Sequence, residues 1–350
     1  MILANKRFSD VLNDGFKLFI KTYGTLILPL ALFQVILIII DIFLLTDFRL
    51  YLDNLGVIYT AIMNKLIAGG TLTANEWNVL STYLILSFLL LFLQNLVGAI
   101  IITIAMCSVS IYVFKRYMKE DVSLLQSIKS AFNRKILIVI LIIGICLPLS
   151  SLLLFIPAIF VFGFFIFLVF TYIIEVRKNP ILEARSIAKG AFWKIIGIFA
   201  FNVILISIIR YFYVLLINII LNTDSAIFIA NFNSWYNLTT RNYGMVILYQ
   251  ILMNFVDILM APLFICLLAV LFSSLKAKKD LKYLYQQGYY SDKEILQIKR
   301  KSYEVTENHD STPKFKQGGR FYCPFCGSLI RSGSNEFCPK CGENLSFMGN

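Results

Sequence analysis

Charge and histidine are scarce in this sequence. Asp, Glu, Lys and Arg together make 15% of 350 residues, and His309 is the single histidine. Soluble domains carry about a quarter charged residues. A shortage of that size, beside 59% hydrophobic residues, excludes an ordinary water-soluble fold and points to several membrane-spanning segments. One histidine in a polar stretch cannot build a His-based catalytic centre, and it reads as solvated. The chain also lacks a nucleophile elbow, a phosphate-cradling loop and a His-Glu-x-x-His helix. With those classes removed, the chain reads as non-enzymatic. Cys107, Cys146 and Cys266 lie in apolar runs and read as small packing residues.

What is present is a series of long apolar runs. Residues 8–19 place Phe8, Val11, Leu12, Phe16 and Phe19 at helical spacing, which predicts an amphipathic helix lying on a membrane surface. Span one follows at about 24–46, long enough for the ~20 residues a bilayer requires, and too long for a removable signal. Residues 47–80 read as a polar-mixed loop holding a second amphipathic helix that Gly69-Gly70 ends. Thr73-Ala74-Asn75-Glu76 is a capping box that opens a helix into span two, roughly 81–113. A second surface helix is expected over 122–135. The apolar run 136–176 is long enough for spans three and four, with a turn near Pro157 and a kink at Pro148. Asn179-Pro180 caps a third surface helix. Spans five and six are expected at about 195–221 and 246–272, joined by a loop whose Trp235, Tyr236 and Tyr243 form an interfacial aromatic belt. A faint repeat aligns Asp10–Phe16, Gln126–Phe132 and Ser186–Phe192, each before an odd-numbered span.

Basic residues orient this layout. Six spans put 1–23, 114–135, 177–194 and 273–350 on one side, with 28 Lys and Arg; the other side holds Arg49, Lys65 and Arg241. The positive-inside rule then makes both termini cytoplasmic, in a cell membrane crossed several times. Inside the spans, Arg210 and Asp257 fall at matching depth in sequential antiparallel helices. They are expected to form an intramembrane ion pair, with Asp41 as the alternative partner of Arg210.

The tail has a different character. Lys276, Lys278, Lys279 and Lys282 directly follow span six and read as a topology anchor or as an anionic-lipid contact. Residues 276–303 read as a helical hairpin with Gly288 as a stop and Ser291 with Glu294 as a capping box. Residues 304–320 read as a flexible linker. In 321–350, Cys323-Pro324-Phe325-Cys326-Gly327 and Cys338-Pro339-Lys340-Cys341-Gly342 aim four thiolates at one point, a closed tetrahedral site suited to one structural Zn2+. Residues 328–331 and 336–337 are expected to form a short hairpin between the knuckles. Some thirty residues bury too little apolar surface to fold alone, so the metal must stabilise them. A pair of disulfides is the competing reading, and a cytoplasmic tail argues against it.

The doubled Cys-Pro-x-Cys-Gly knuckles closely resemble a zinc-ribbon domain. Residues 281–299 resemble the SHOCT family of short C-terminal modules, with Tyr290 in place of the usual aliphatic residue; the resemblance implies self-association. Asn179-Pro180 through Phe192-Trp193 looks like the entry to a late span in the membrane domain attached to some glycerophosphodiester phosphodiesterases. That likeness covers the layout of 1–275 but brings no activity, since the histidine and carboxylates of that chemistry are missing.

The expected fold is thus an all-α integral membrane protein: six transmembrane helices plus interfacial amphipathic helices in 1–275, then a hairpin, a linker and a zinc-ribbon β-hairpin. The expected role is a membrane-anchored scaffold or adaptor with membrane lipids and a cytoplasmic protein as partners. Transport or lipid handling is the alternative, favoured by polar residues within the spans: Gln34, Asp41, Gln94, Asn95, Asn202, Arg210, Gln250, Asn254 and Asp257. Against it, no span pair shows the broken-helix symmetry expected at a transporter midplane site. Nucleic-acid binding, resting on basic charge with Tyr322, Phe325 and Phe337, has the least support.

Overall fold

The computed structural model describes the backbone of residues 6–153, 155–174, 179–223, 225–286, 321–322 and 329–330. Its helices are α1 (Phe8–Ile67), α2 (Ala74–Tyr117), α3 (Leu124–Ala131), α4 (Ile136–Val139), a π-helical segment (Ile140–Cys146), α5 (Leu147–Leu153), α6 (Phe155–Phe165), α7 (Leu168–Ile174), α8 (Pro180–Ala188), α9 (Phe192–Leu221), α10 (Ala226–Tyr236), α11 (Tyr243–Met253) and α12 (Phe255–Gln286). Five helices are long and apolar enough to cross a membrane, and a pair bent by 76°, Leu124–Ala131 with Ile136–Leu152, brings the number to six when taken as one span.

Several expectations need correction. The surface helix, span one and the loop helix are a single 60-residue helix, α1. At 1.5 Å per residue it is about 90 Å long, some three times the hydrocarbon thickness of a bilayer. Residues 8–19 are also not spread on a lipid surface: Val11 and Leu18 are buried, and Phe8, Leu12, Phe16 and Phe19 pack against the core. Span six is interrupted at Asn254, between α11 and α12. The loop after span five contains α10, which has no buried residue.

Local signals explain most helix ends. Thr73 Oγ1 accepts from the Glu76 amide while the Glu76 carboxylate accepts from the Thr73 amide at 2.7 Å, closing the capping box. Asn179 caps α8 through the Ile181 amide, with Pro180 at the first position. Beyond α1, the Gly69 and Gly70 amides bond back to Leu66 and Lys65, with Gly69 at φ +81°. Pro148 follows the π-helical segment. A proline removes one amide donor and crowds the carbonyl four residues back, and the widened turn absorbs both.

The core lies at one end of the bundle, where α1 begins and α2 ends. It unites the first third of α1, the last part of α2, α4, the π-helical segment, α7, α8, the start of α9 and the middle of α12. Ala105–Val113, Ile166–Tyr172 and Ile265–Ser274 are buried without a gap, so these stretches are enclosed on every face. Between helices in lipid, packing rather than exclusion of water supplies the attraction, and the fit here is close. A Cβ on Gly15 would sit 2.4 Å from Leu267 Cδ2 and 3.2 Å from Leu267 Cα. Phe272 is ringed by Phe114, Phe167 and Phe170 at centroid distances of 4.8–5.6 Å. Buried hydroxyls use nearby carbonyls: Thr22 Oγ1 donates to Leu18 O at 2.8 Å, and Tyr172 donates to Ala131 O at 3.2 Å, capping α3. This end carries Lys6, Lys17, Lys21, Lys115, Arg116, Lys119, Lys189 and Lys194 and is called the basic end below.

Strands β1 (Phe321–Tyr322) and β2 (Leu329–Ile330) pair antiparallel, Phe321 opposite Ile330 and Tyr322 opposite Leu329. The described ladder therefore brackets the first Cys pair in sequence, whereas the expected hairpin fell between the two pairs. Residues 331–350 lie outside the described residues, as do 287–320.

Candidate functional site

The chemistry-bearing contacts of the described residues are ion pairs, and they occur at three levels. The central one is built around the interruption in span six. A helix end leaves its last carbonyls without intrahelical partners. At this break, Tyr213 of α9 donates its hydroxyl to Leu252 O at 2.9 Å, and the Asn254 amide bonds to Gln250 O at 3.0 Å. Asn254 Nδ2 donates to the same carbonyl at 2.8 Å. The side chain of Asn254 is thus held with its oxygen toward α9, where Arg210 Nη2 donates to it at 3.3 Å.

Arg210 Nη1 lies 2.9 Å from Asp257 Oδ2. Asp257 is in the first turn of α12, where the helix dipole favours a negative charge. The structure therefore brings together the two residues that depth alone singled out. A lone charge at mid-bilayer costs ~2.5–3.5 kcal/mol, and pairing offsets much of it. The pair is not sealed: the side chains of Arg210 and Asp257 are 47% and 28% exposed. From Gln250 the chain of donors continues to Tyr236 of α10, whose hydroxyl accepts from Gln250 Nε2 at 3.1 Å.

A second level lies toward the far end, away from the basic end. Asp41 accepts from Arg49 Nη2 through both carboxylate oxygens, at 2.8 and 2.6 Å. Asp41 is thereby engaged within α1, not by Arg210. Gln94 of α2, with its amide oxygen turned to Arg49, accepts from the same guanidinium. Arg241 Nη2 meets Asp47 Oδ1 at 2.6 Å, and Tyr243 stacks on Phe43 at 4.8 Å. These contacts tie the loop before α11 to α1.

The third level is at the basic end. Glu183 of α8 is 8% exposed and is paired with Lys279 of α12, which also donates to Ser186 Oγ at 2.5 Å. Of the four lysines expected to meet lipid, Lys279 is thus turned inward. Lys278 is exposed, Lys276 has an interaction of its own, and the side chain of Lys282 lies outside the described residues. Lys6 is paired with Asp14 and donates to the Tyr117 hydroxyl at 2.5 Å. Burial works against its charge, but the bonds to Asp14 and Tyr117 outweigh it and raise its pKa above the usual lysine value.

The sequence had marked Asp41, Gln94, Asn202, Arg210, Gln250, Asn254 and Asp257 as polar residues within spans. It had not supplied Arg49, Tyr213, Tyr236 or Glu183 as partners, because each belongs to a different helix or sits many residues away. Asn202 is buried, and its Oδ1 has no hydrogen-bond partner among the described residues. The four tail cysteines, Cys323, Cys326, Cys338 and Cys341, lie outside the described residues. Among the described residues, no group of three or more His, Cys, Asp or Glu side chains could hold a metal ion. Comparison with protein-family models, with curated proteins and with solved structures found no match to this chain.

Proposed function

We propose that this protein is a non-enzymatic, membrane-anchored scaffold whose last helix leads into a hairpin, a flexible linker and a zinc-binding tail module that it presents to a protein partner. The observation that supports this most is the continuity of α12. Its stretch Ile265–Ser274 is enclosed on all sides, and the same helix runs on to Gln286. Glu183 and Lys279 clamp the extension to α8. A mobile linker directly after the last span would let the tail wander. A helix rooted in the core instead sets where the following residues begin.

In this reading the basic end faces the cytoplasm of the cell, with both termini there, as the excess of Lys and Arg favours. Lys276, Lys278 and Lys282 stand near anionic lipid headgroups, and residues 276–303 serve association with a partner or another copy. The donor set of Cys323, Cys326, Cys338 and Cys341 fits one structural zinc, since four thiolates close a tetrahedral site and leave no position for catalysis. Nucleic acid is the less favoured partner class.

The test compares proteins co-purifying from native membranes with the full chain and with a version ending at Gln286. Loss of specific partners from the shortened chain supports the scaffold reading, and identical partner sets overturn it. Zinc is measured on the same material. One zinc per full-length chain is expected and none when the four tail cysteines are replaced by serine; equal zinc in both would remove the metal from the reading. Transport or lipid handling is the second reading. The interruption at Asn254, with charged and amide side chains gathered on it, favours it.

A further inference from the structure

The half-open ion pair of Arg210 and Asp257 lies on a surface that the bundle leaves bare. In α9, Ile195, Ile198 and Asn202 are buried, and no residue from Val203 to Leu221 is. Apolar residues on such a surface can face lipid tails without cost. A guanidinium that is nearly half exposed cannot. Ser207 and Asn218 share the exposed side of α9 with Arg210, one turn before it and about two turns after it. Interfaces between helices in lipid are enriched in such small and polar side chains.

We infer that this face is covered by the same face of a second copy of the chain. The argument is complementarity under two-fold symmetry. Arg210 and Asp257 touch, so they share one depth, about 16 Å from the far end of their spans at 1.5 Å per residue. A two-fold axis along the bilayer normal keeps every residue at its own depth. It therefore brings Arg210 of one copy level with Asp257 of the other, and the open edges of two ion pairs close into a four-charge ring. A single copy leaves these edges facing hydrocarbon, and an uncharged partner would leave them unpaired.

The proposal is tested on the full chain in native membranes and in lipid nanodiscs. Ser207→Cys is expected to give an oxidant-dependent dimer band absent from the unsubstituted chain, while Ile156→Cys, exposed on α6, gives none. Single-molecule photobleaching in vesicles is expected to count two copies for the wild type. Arg210→Asp alone and Asp257→Arg alone, each placing like charges in the ring, should weaken dimerisation at least tenfold. Co-expression of the two differently tagged variants should restore mixed dimers. Ser207→Phe, which adds bulk beside the pair and leaves both charges in place, should also weaken the dimer tenfold while leaving the monomer folded. A wild type that remains one copy per vesicle at high protein density would overturn the proposal. So would mixed variants that associate no better than either alone. A monomer that retains one anionic lipid by native mass spectrometry, lost with Arg210→Ala, would overturn it in favour of a headgroup on this face.

Discussion

The basic end and the far end of the bundle hold their shapes by different means. At the basic end, three helical stretches are enclosed on every face, and contacts are so close that a Cβ on Gly15 would press into Leu267 where α1 meets α12. Toward the far end, α10 and the last two thirds of α9 contain no fully buried residue, and named polar pairs join the helices: Arg210 with Asp257, Tyr213 with Leu252, Arg241 with Asp47. Hydrocarbon is as apolar as leucine, so helices in lipid gain little by merely meeting. They are fixed either by dense packing, which spreads the load over many atoms, or by a few directional bonds, each of which matters alone.

The largest effect should come from the packed end. Phe272→Ala is expected to lower stability by ~3–5 kcal/mol in thermal unfolding of the detergent-solubilised protein. Phe212→Ala, at a site 66% exposed on α9, should change it by less than ~0.5 kcal/mol. Similar losses at both sites would erase the distinction.

Next in size is the directional end. Asp257→Asn leaves Arg210 without its charge partner and should cost ~2–3 kcal/mol. The charge-swapped combination of Arg210→Asp with Asp257→Arg should recover part of that loss. A double variant whose loss equals the sum of the two singles would mean that the pair contributes no coupling.

A smaller effect separates two glycines of α1. Gly15→Ala drives a methyl group into Leu267 and should cost ~1–3 kcal/mol. A Cβ on Gly24 meets nothing within 4 Å, so Gly24→Ala should be neutral or stabilising by up to ~1 kcal/mol. The order of these two melting temperatures checks whether the tight crossing is where the structure puts it.

The smallest effect is at the turn between α1 and α2. The Lys65 ammonium, and then the Thr73 amide and hydroxyl, hold the Glu76 carboxyl down to about 2 from its ordinary 4.5. A carboxyl depressed by folding lends its full support above its unfolded value and loses it as pH falls toward the folded one. Amide exchange at residues 68–73, corrected for intrinsic rates, should therefore quicken a few-fold between about pH 4.5 and 2. Glu76→Gln should flatten that dependence, and an unchanged profile would remove Glu76 from the turn's support.

Signals confined to a few neighbouring residues were legible in the sequence. Thr73 with Glu76 and Asn179 with Pro180 cap the helices that their spacing announces, because a cap is settled within one turn. Arg210 and Asp257 were legible for a different reason: equal depth in consecutive antiparallel spans leaves few other partners. The cover of an amphipathic face was not legible. Phe8, Val11, Leu12, Phe16 and Phe19 have the same period whether they lie on lipid or on the core of the bundle, and nothing local distinguishes the two. The continuity of α1 was hidden because its apolar and amphipathic stretches share one helical period, and polarity alone was read as a loop. The break at Asn254 has no proline or glycine to mark it; it is sustained by Tyr213 and Arg210, which come from another helix.

The great length of α1 gives the molecule a lever. Its stretch in the main core ends at Leu30, the ties to α2 and α11 at Phe43, Asp47 and Arg49 follow, and its tip at Ile67 lies 18 residues beyond Arg49, roughly 27 Å away. Lys65 bonded to Glu76 at 2.9 Å and Tyr59 stacked on Tyr83 at 4.4 Å lash the start of α2 to the same arm. A tilt of about 5° at the ties near Arg49 would swing this paired tip through ~2 Å, from displacements near the fulcrum of well under an ångström. The arm thus magnifies small shifts at the ties beneath it, and a distance label at its tip would read them out.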